Sequence, residues 1–286
     1  MTRAAVVSVA HGGGPMPVLG DPGHKEIVQS MKKRVPKILK LHTPEAPRAI
    51  VVVTAHWSTN QPTISCAKSH RLYYDYGGFP REAYELQYPA PGSPEVAEEV
   101  RQALERGGFS PVMDKTRGWD HGVFIPFLLI NPQADIPIVQ VSVLASEDAA
   151  AHLRMGSALA SLRDKNIAIV GSGSASFHNT PVLRRVFMGL ASIASLQAKS
   201  KAWHVALNDA VIGDEVKGDE REKRLERWRQ FPNADDMHPP SAGEHFLPLL
   251  VCAGARGETK GRAFKDPLFG VDNFTYYWSD TPESTE

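Results

Sequence analysis

The chain has 286 residues, of which 42% are hydrophobic and 22% charged, and this composition excludes disordered and collagen-like proteins. Its 32 Lys and Arg balance its 32 Asp and Glu, so we expect neither nucleic acid nor a membrane surface as a partner. No apolar run approaches the roughly 20 residues that span a bilayer. The two cysteines, Cys66 and Cys252, exclude a disulfide framework and a cysteine zinc site, and they favour a cytoplasmic location.

Short apolar runs alternate with helical patterns along the chain. The apolar runs are rich in β-branched residues and predict buried strands over residues 4–10, 49–55, 136–144, 167–170 and 274–278. The clearest helix begins at Ser93 and Pro94, carries Val96, Val100 and Leu104 on one face, and ends at Gly107 and Gly108. Further helices are predicted over residues 25–41 (with a kink at Pro36), 147–164, 202–212, 219–230 and 244–255.

The alternation predicts an α/β fold with a central, mostly parallel or mixed β-sheet and helices on both faces. No linker rich in Pro, Gly or Ser separates two halves of the chain. We therefore expect a single domain over residues 1–286, with a polar C-terminal tail from residue 279.

Three histidines follow predicted strands. His11 comes directly after the first strand and opens a triple-glycine turn, His56 follows the second, and His178 lies in the loop after the strand over residues 167–170. The carboxyl ends of strands in an open α/β sheet are where ligands bind, so we expect His11 and His56 to leave adjacent strands and converge there with His178. A single such histidine is more often a hydrogen-bonded rim residue, but three together favour a site.

A fourth histidine, His245, belongs to a predicted helix. Ser241 and Glu244 have the spacing of a capping box, which would give Glu244 a structural role and turn His245 inward with Leu249. Pro248 would then bend this helix. Several neutral imidazoles without thiolates suit zinc, iron, nickel or copper.

His121 stands between Trp119–Asp120 and an apolar segment. Trp119 and Asp120 could orient the His121 imidazole for proton transfer or for stacking on an aromatic ligand. The alternative is that His121 only braces the loop in which it lies. The remaining histidines without such context are predicted to lie on the surface: His24, His42, His70, His152 and His204. The glycine-rich turns complete no nucleotide-binding motif, and neither a metalloprotease nor a serine-hydrolase motif occurs.

The same residues fall in a set of segments that occur in order from residue 11 to about residue 255: HGGGP (11–15), TAHW (54–57), YDYGGFP (74–80), YPAPGS (88–93), WDHG (119–122), GSGSASFHN (171–179) and EHFLPL (244–249). The set resembles the DOPA-dioxygenase branch of the class III (LigB-type) extradiol ring-cleavage dioxygenases. The resemblance implies an α/β core, one non-haem Fe(II), often replaced by Zn in purified members, and a catechol substrate. The ring opens beside its hydroxyls, and both atoms of O2 enter a muconate semialdehyde product.

The resemblance also implies roles for the histidines. His11, His56 and His245 correspond to metal ligands, His178 to an acid/base residue or a fourth ligand, and His121 to a substrate-contacting residue. Relatives that cleave protocatechuate use a glutamate as third ligand, whereas this chain resembles the branch with a histidine there. The spacing from His238 to His245 is longer than expected for that branch, so His238 is a second candidate for the third ligand.

Two other functions remain open at this stage. A zinc hydrolase could use the same histidines to activate water. The second alternative is a non-enzymatic binding protein similar to the MEMO proteins, which share the LigB fold. The presence of His178 and His121 beside the ligand set favours an enzyme.

Overall fold

One mixed sheet of eight strands lies at the centre of the fold. The computed structural model describes residues 3–216 and 218–280. The strands are β1 (Val6–Ala10), β2 (Ala49–Thr59), β3 (Thr63–Ser65), β4 (Val112–Asp114), β5 (Ile138–Leu144), β6 (Ile167–Gly173), β7 (Gly261–Leu268) and β8 (Val271–Trp278). Their order is β4-β3-β5-β2-β6-β1-β8-β7, and β5, β2, β6 and β1 run parallel. These four strands therefore end at the same edge of the sheet.

Helices cover both faces of this sheet. They are α1 (Lys25–Ile38), α2 (Pro94–Arg106), α3 (His121–Ile130), α4 (Ala149–Leu159), α5 (Thr180–Phe187), α6 (Ile193–Ile212), α7 (Gly218–Glu226), α8 (Ala234–Met237) and α9 (Leu247–Ala255). One apolar core lies between the sheet and α2, α4, α6 and α9, and a second lies between the sheet and α1 and α3. Within the described ranges, no helix has the length and apolar character needed to cross a membrane.

The predicted α/β architecture is confirmed. Each of the five predicted strands is present, and β1, β5 and β6 are buried along their whole length because helices cover both faces. Helix α2 forms as its sequence predicts. The Ser93 side chain accepts a hydrogen bond from the Val96 amide at 3.2 Å, Pro94 occupies the first turn, and the helix ends at Gly107.

Some predicted boundaries are wrong. The segments 147–164 and 219–230 each end in a 3-10 turn, Ala160–Lys165 and Trp228–Gln230, rather than in a continuous helix. Helix α6 begins nine residues before its predicted start, because the Ser192 side chain caps Ser195. Pro36 lies in the last turn of α1, so the helix ends there instead of continuing past a kink. At the predicted tail, Ser279 is buried, and residues 281–286 lie outside the described residues.

The predicted capping box before α9 is wrong. Helix α9 begins at Leu247, three residues later than predicted, and Ser241 has a positive φ of 60° in the preceding loop. Pro248 therefore falls in the first turn, where a proline costs no helical hydrogen bond and causes no kink. The Glu244 carboxyl group turns to the neighbouring His245 ring instead of a helix N-terminus.

His24, His152 and His204 were predicted on the surface, but all three are buried. Tertiary hydrogen bonds account for this difference. The His24 ring accepts from the Gly13 amide at 2.9 Å, and the His152 ring accepts from the Leu144 amide at 3.0 Å. The His204 ring lies 3.2 Å from the Ser200 hydroxyl. A buried polar group needs such partners, which local sequence does not reveal.

Candidate metal centre

His11 is held at the end of β1 by the adjacent strand β6. Its amide donates to the Gly173 carbonyl at 3.2 Å, and its Nδ1 lies 3.0 Å from the Ser172 hydroxyl. That hydroxyl donates its own hydrogen to the Gly122 carbonyl, so it accepts one from His11 Nδ1. The Nε2 atom of His11 is left with a free lone pair.

His56 enters the site through an irregularity in β2. Pairing between β2 and β5 shifts register between Thr54 and Ser58, so that the residues between them bulge out of the ladder. Such a bulge changes the direction in which a side chain points. His56 Nε2 lies 3.0 Å from His11 Nε2, although β6 separates β1 from β2 and the two strands are not the neighbours we predicted.

His245 lies just before α9 and approaches the end of β6 closely. Its carbonyl accepts from the Ser174 amide at 2.8 Å, and a Cβ on Gly173 would stand only 2.3 Å from that carbonyl oxygen. The His245 Nδ1 donates to Glu244 Oε1 at 2.7 Å. Its Nε2 lies 3.2 Å from His56 Nε2. The close approach of β6 and α9 thus brings the third imidazole to the first two.

The three-histidine cluster of His11, His56 and His245 has the form of a metal site. Burial, reinforced by the neighbouring histidines, lowers the pKa of all three rings, that of His56 to about 3, so the neutral imidazoles predominate. Facing lone pairs 3.0 to 3.2 Å apart repel unless a proton or a metal ion lies between them. Imidazoles that bind one ion at about 2.0–2.1 Å place their nitrogens about 3 Å apart, so the cluster fits a divalent cation.

Asp75 joins the cluster to His121. Its Oδ1 accepts from the His121 amide at 3.0 Å and from His121 Nδ1 at 2.8 Å, and its Oδ2 lies 3.5 Å from His56 Nδ1. Burial alone would raise the pKa of Asp75, but the hydrogen bonds from His121 lower it below the usual range. The carboxylate therefore stays ionised and holds the hydrogen of His121 Nδ1, which fixes the orientation of the ring.

The sequence predicted the wrong partners for His121. Asp120 is fully buried and turns away to Thr54 at 2.8 Å, Gln140 at 2.9 Å and Arg117 at 3.1 Å. Trp119 is likewise buried and stacks on His70. The His121 ring instead packs against His56, with ring centroids 3.8 Å apart.

His178 lies on the other side of the cluster. Its amide donates to the Met237 carbonyl at 2.8 Å, and its ring stacks on that of His245. Its Nδ1 is 3.8 Å from Glu244 Oε1. Burial, with a contribution from His121, lowers the pKa of His178 to about 4, so this ring is also neutral near pH 7.

His238, the second candidate for the third ligand, is buried elsewhere. Its ring packs among Trp203, Trp228 and Phe246, and its Nε2 lies 3.3 Å from the Ala175 carbonyl. Among the described residues, three groups have ligand atoms close enough to share one ion; two of these groups contain His245, and none contains His238. The geometry therefore favours His245.

A pocket with a cavity volume of about 110 Å³ opens beside the cluster. Its floor is formed by His11, His178 and His245, and its walls come from α5 and from the turn between β7 and β8. Five large apolar side chains belong to the walls: Phe177, Leu183, Leu268, Phe269 and Val271. The pocket thus offers a partly apolar space next to imidazoles that can exchange protons.

Comparison with known proteins agrees with this geometry. A family model described as the catalytic LigB subunit of aromatic ring-opening dioxygenase matches residues 7–275. The chain belongs to the LigB family. The LigB-family chain is 53% identical to the dioxygenase tasH of Hapsidospora irregularis, over 97% of this chain and 86% of the relative. It is 34% identical to the 4,5-DOPA dioxygenase extradiol of Beta vulgaris, over 87% of this chain and 86% of that one.

The LigB-family chain also resembles bacterial proteins. It is 32% identical to the 4,5-DOPA dioxygenase extradiol of Escherichia coli K12, over 89% of this chain and 86% of the relative. The crystal structure of an uncharacterized protein from Escherichia coli K12 superposes with a TM-score of 0.70 at 27% identity, covering 97% of this chain and all of that one. The predicted resemblance is confirmed: this is a LigB-type extradiol dioxygenase of the DOPA-dioxygenase branch.

Sequence reasoning missed several residues of the dioxygenase site. Asp75 was part of a family segment but carried no assigned role, and Ser172 and Gly173 were considered only as a glycine-rich turn. Asp75 is 46 residues from His121, so no local pattern connects them. A glycine at the end of a buried strand is a signal for close approach of another backbone, and Gly173 could have been found in this way.

Proposed function

We propose that this dioxygenase binds one Fe(II) through His11, His56 and His245 and cleaves the ring of a catechol, DOPA-like or related, beside its two hydroxyls. One O2 is consumed, both of its atoms enter the product, and the product is a muconate semialdehyde. The observation that carries the proposal is the convergence of three neutral Nε2 atoms, each 3.0 or 3.2 Å from its neighbour, beside a pocket that His11 and His245 line. The free thiols Cys66 and Cys252 suit a cytoplasmic location.

Three imidazoles suit iron or zinc equally as donors. Zinc has no redox chemistry, whereas the family reaction consumes O2, which is why we propose iron. When bound, the ion supplies Lewis acidity toward the catechol oxygens and a route for electrons between the ring and O2.

The chain's own residues manage protons. A catechol that binds through both oxygens must lose protons, and we assign His178 as the base because its ring is neutral and lines the pocket. His121 is assigned a contact with the substrate, and Asp75 accepts its Nδ1 hydrogen and so fixes the orientation of the ring.

Outer residues hold these rings in place. Ser172, Asp75 and Glu244 each occupy the Nδ1 side of one cluster histidine, which fixes the ring orientation and keeps Nε2 unprotonated. The apolar walls at Leu183 and Phe269 exclude water from the ring of the substrate.

The test is anaerobic reconstitution with Fe(II), followed by a panel of catechols. We expect a yellow semialdehyde and uptake of one O2 per catechol consumed. With 18O2, and with the aldehyde reduced at once by borohydride to prevent exchange with water, the product should carry two labelled oxygens. One labelled oxygen would contradict the proposed reaction.

The same experiment separates the two alternatives. Turnover of ester or amide substrates by the zinc-loaded protein, with no O2 uptake on any catechol, would identify a zinc hydrolase. Stoichiometric metal binding without turnover of either class would indicate a non-enzymatic, MEMO-like binding protein.

A further inference from the structure

We propose that the pocket selects catechols whose ring substituent is apolar and uncharged over catechols that carry a carboxylate on that substituent. This inference rests on the proposed function, since it concerns the substrate of the same site; within the range of DOPA-like or related catechols, it favours the related ones that lack the carboxylate of DOPA. Three features of the pocket support this inference. Apolar side chains line its walls, most of its polar side chains already have hydrogen-bond partners within the protein, and its charged side chain is an aspartate.

The apolar walls extend outward from the histidines. Leu183 of α5 faces Leu268, Phe269 and Val271 of the β7–β8 turn across the pocket. At the rim the Phe187 ring contacts that of Phe269, with centroids 5.5 Å apart, and this pair continues the wall toward solvent. A hydrocarbon substituent that leaves the catechol ring in this direction would be removed from water, and each methylene would strengthen binding.

Most polar side chains around the pocket are already hydrogen-bonded within the protein. The Ser176 hydroxyl accepts from the Phe274 amide at 2.8 Å, and the Ser174 hydroxyl donates to the Phe177 carbonyl at 2.8 Å. The Asn179 amide caps α5 through Val182 at 3.2 Å and donates to the Asp236 carbonyl at 2.9 Å. These groups are not free to solvate a substrate carboxylate without losing their present bonds.

Asn273 differs from them. It is 2% exposed, it lines the pocket, and neither polar atom of its side-chain amide has a hydrogen-bond partner among the described residues. An amide carries no net charge and pairs equally well with a neutral hydroxyl or carbonyl. It therefore does not supply the cation that a buried carboxylate needs.

The charged side chain at the pocket is negative. Asp272 lines the pocket, and its Oδ2 lies 3.2 Å from Lys265 Nζ across the hairpin. Within the described parts of the chain, the residues that line this pocket include no lysine or arginine. The proposed metal ion would be occupied by the catechol oxygens. A carboxylate on the ring substituent would therefore lose water, lie near Asp272, which already pairs with Lys265, and find no lysine or arginine in the lining, which disfavours it.

The experiment compares kcat/KM for 4-methyl-, 4-ethyl- and 4-propylcatechol with that for 3-(3,4-dihydroxyphenyl)propanoate and DOPA, using the iron-loaded protein. We expect kcat/KM to rise about fourfold per added methylene, since each buried methylene contributes about that factor. The propanoate should be at least tenfold poorer than 4-propylcatechol. A flat alkyl series, or a preference for either carboxylated substrate, would overturn the proposal.

Two variants test the assigned features separately. Leu183→Ser should reduce the gain per methylene to below twofold, whereas Val205→Ser, on α6 and 67% exposed, should leave it unchanged. Asp272→Asn should raise kcat/KM for the propanoate relative to 4-propylcatechol by a few fold at low salt and less at high salt. Wild-type behaviour of both Leu183→Ser and Asp272→Asn would overturn the proposal.

The outcomes also distinguish this inference from the function on which it rests. If no catechol in the panel causes O2 uptake, ring cleavage itself is wrong. If all of them are cleaved and the propanoate is the best substrate, ring cleavage stands and only the substrate preference is wrong. In that case Arg184, next to Leu183 on α5, is the cation to substitute.

Discussion

The imidazole rings of His178 and His245 are stacked, with centroids 3.3 Å apart and planes inclined by 11°. In this arrangement the two rings lie face to face. His245 directs Nε2 to His56 and Nδ1 to Glu244, while His178 faces the pocket. The stack therefore separates a ring that belongs to the three-histidine cluster from a ring that is available to the substrate.

The first prediction follows from this separation. His178→Ala should retain metal and lose roughly two to four orders of magnitude in turnover, the usual contribution of a proton-transferring group. Metal content and kcat are measured on the same preparation. If His178→Ala instead loses its metal, His178 is a ligand and the base is to be sought at His121.

Gly173→Ala should lower metal affinity although Gly173 has no side chain to bind an ion. The added Cβ would stand 2.3 Å from the His245 carbonyl oxygen, so His245 or the end of β6 must move. We expect at least a tenfold loss of metal affinity by competition with a chromophoric chelator. Gly77→Ala is the matched control, because a Cβ there meets nothing within 4 Å. Equal affinities in the two variants would argue against our account of how His245 is positioned.

Asp75→Asn should impair catalysis more than folding. The substitution removes the charge that orients His121 and lies beside His56, and changes of this kind typically cost 10- to 100-fold in activity or metal affinity. Asp164→Asn is the control, because the Asp164 carboxylate is exposed and forms a salt bridge with Arg3, which is distant from it in sequence. Steady-state kinetics and thermal melts are compared for both. Wild-type kcat in Asp75→Asn would exclude the positioning role.

Acid should destabilise the metal-free protein through histidines outside the cluster. Burial lowers the pKa of His204 to about 4 and that of His238 to about 3, whereas an unfolded histidine titrates at about 6.5. The unfolded chain therefore binds protons that the folded chain does not. The corresponding stability is present above about pH 6.5 and is lost as the pH falls toward 4.

Urea unfolding between pH 7 and 4.5 measures this loss. Each such histidine contributes a slope of up to about 1.4 kcal/mol per pH unit. His204→Asn should reduce the slope, and His42→Asn, at an exposed position, should not. An unchanged slope in His204→Asn would show that this ring is protonated in the folded protein.

The sequence predicted the strands and the histidines after them because both signals are local. An apolar, β-branched run identifies a strand buried on both faces, and the first polar residue after it must lie at the sheet edge. His11 and His178 could be placed at that edge for this reason, and His56 could be placed near it. The bulge that aims His56 depends on pairing between β2 and β5, which no local pattern records.

The remaining errors concern polar residues whose partners are distant in sequence. Ser241 and Glu244 have capping-box spacing, but the Glu244 carboxyl group is used by a cluster histidine. His24 and His152 are polar in sequence and buried in the fold, because backbone amides elsewhere supply their hydrogen bonds. Spacing alone cannot separate a cap from a group that orients a neighbouring ring.

The measurement that tests the central claim most directly is the metal stoichiometry of His11→Ala, His56→Ala and His245→Ala after anaerobic loading with Fe(II) and gel filtration. We predict one ion per wild-type chain, an unchanged value for His42→Asn, and less than about a tenth of an ion for each of the three variants, because two imidazoles cannot hold the ion. Full occupancy in His245→Ala, together with loss of the ion in Glu244→Ala, would contradict the three-histidine site and make the carboxylate the third ligand.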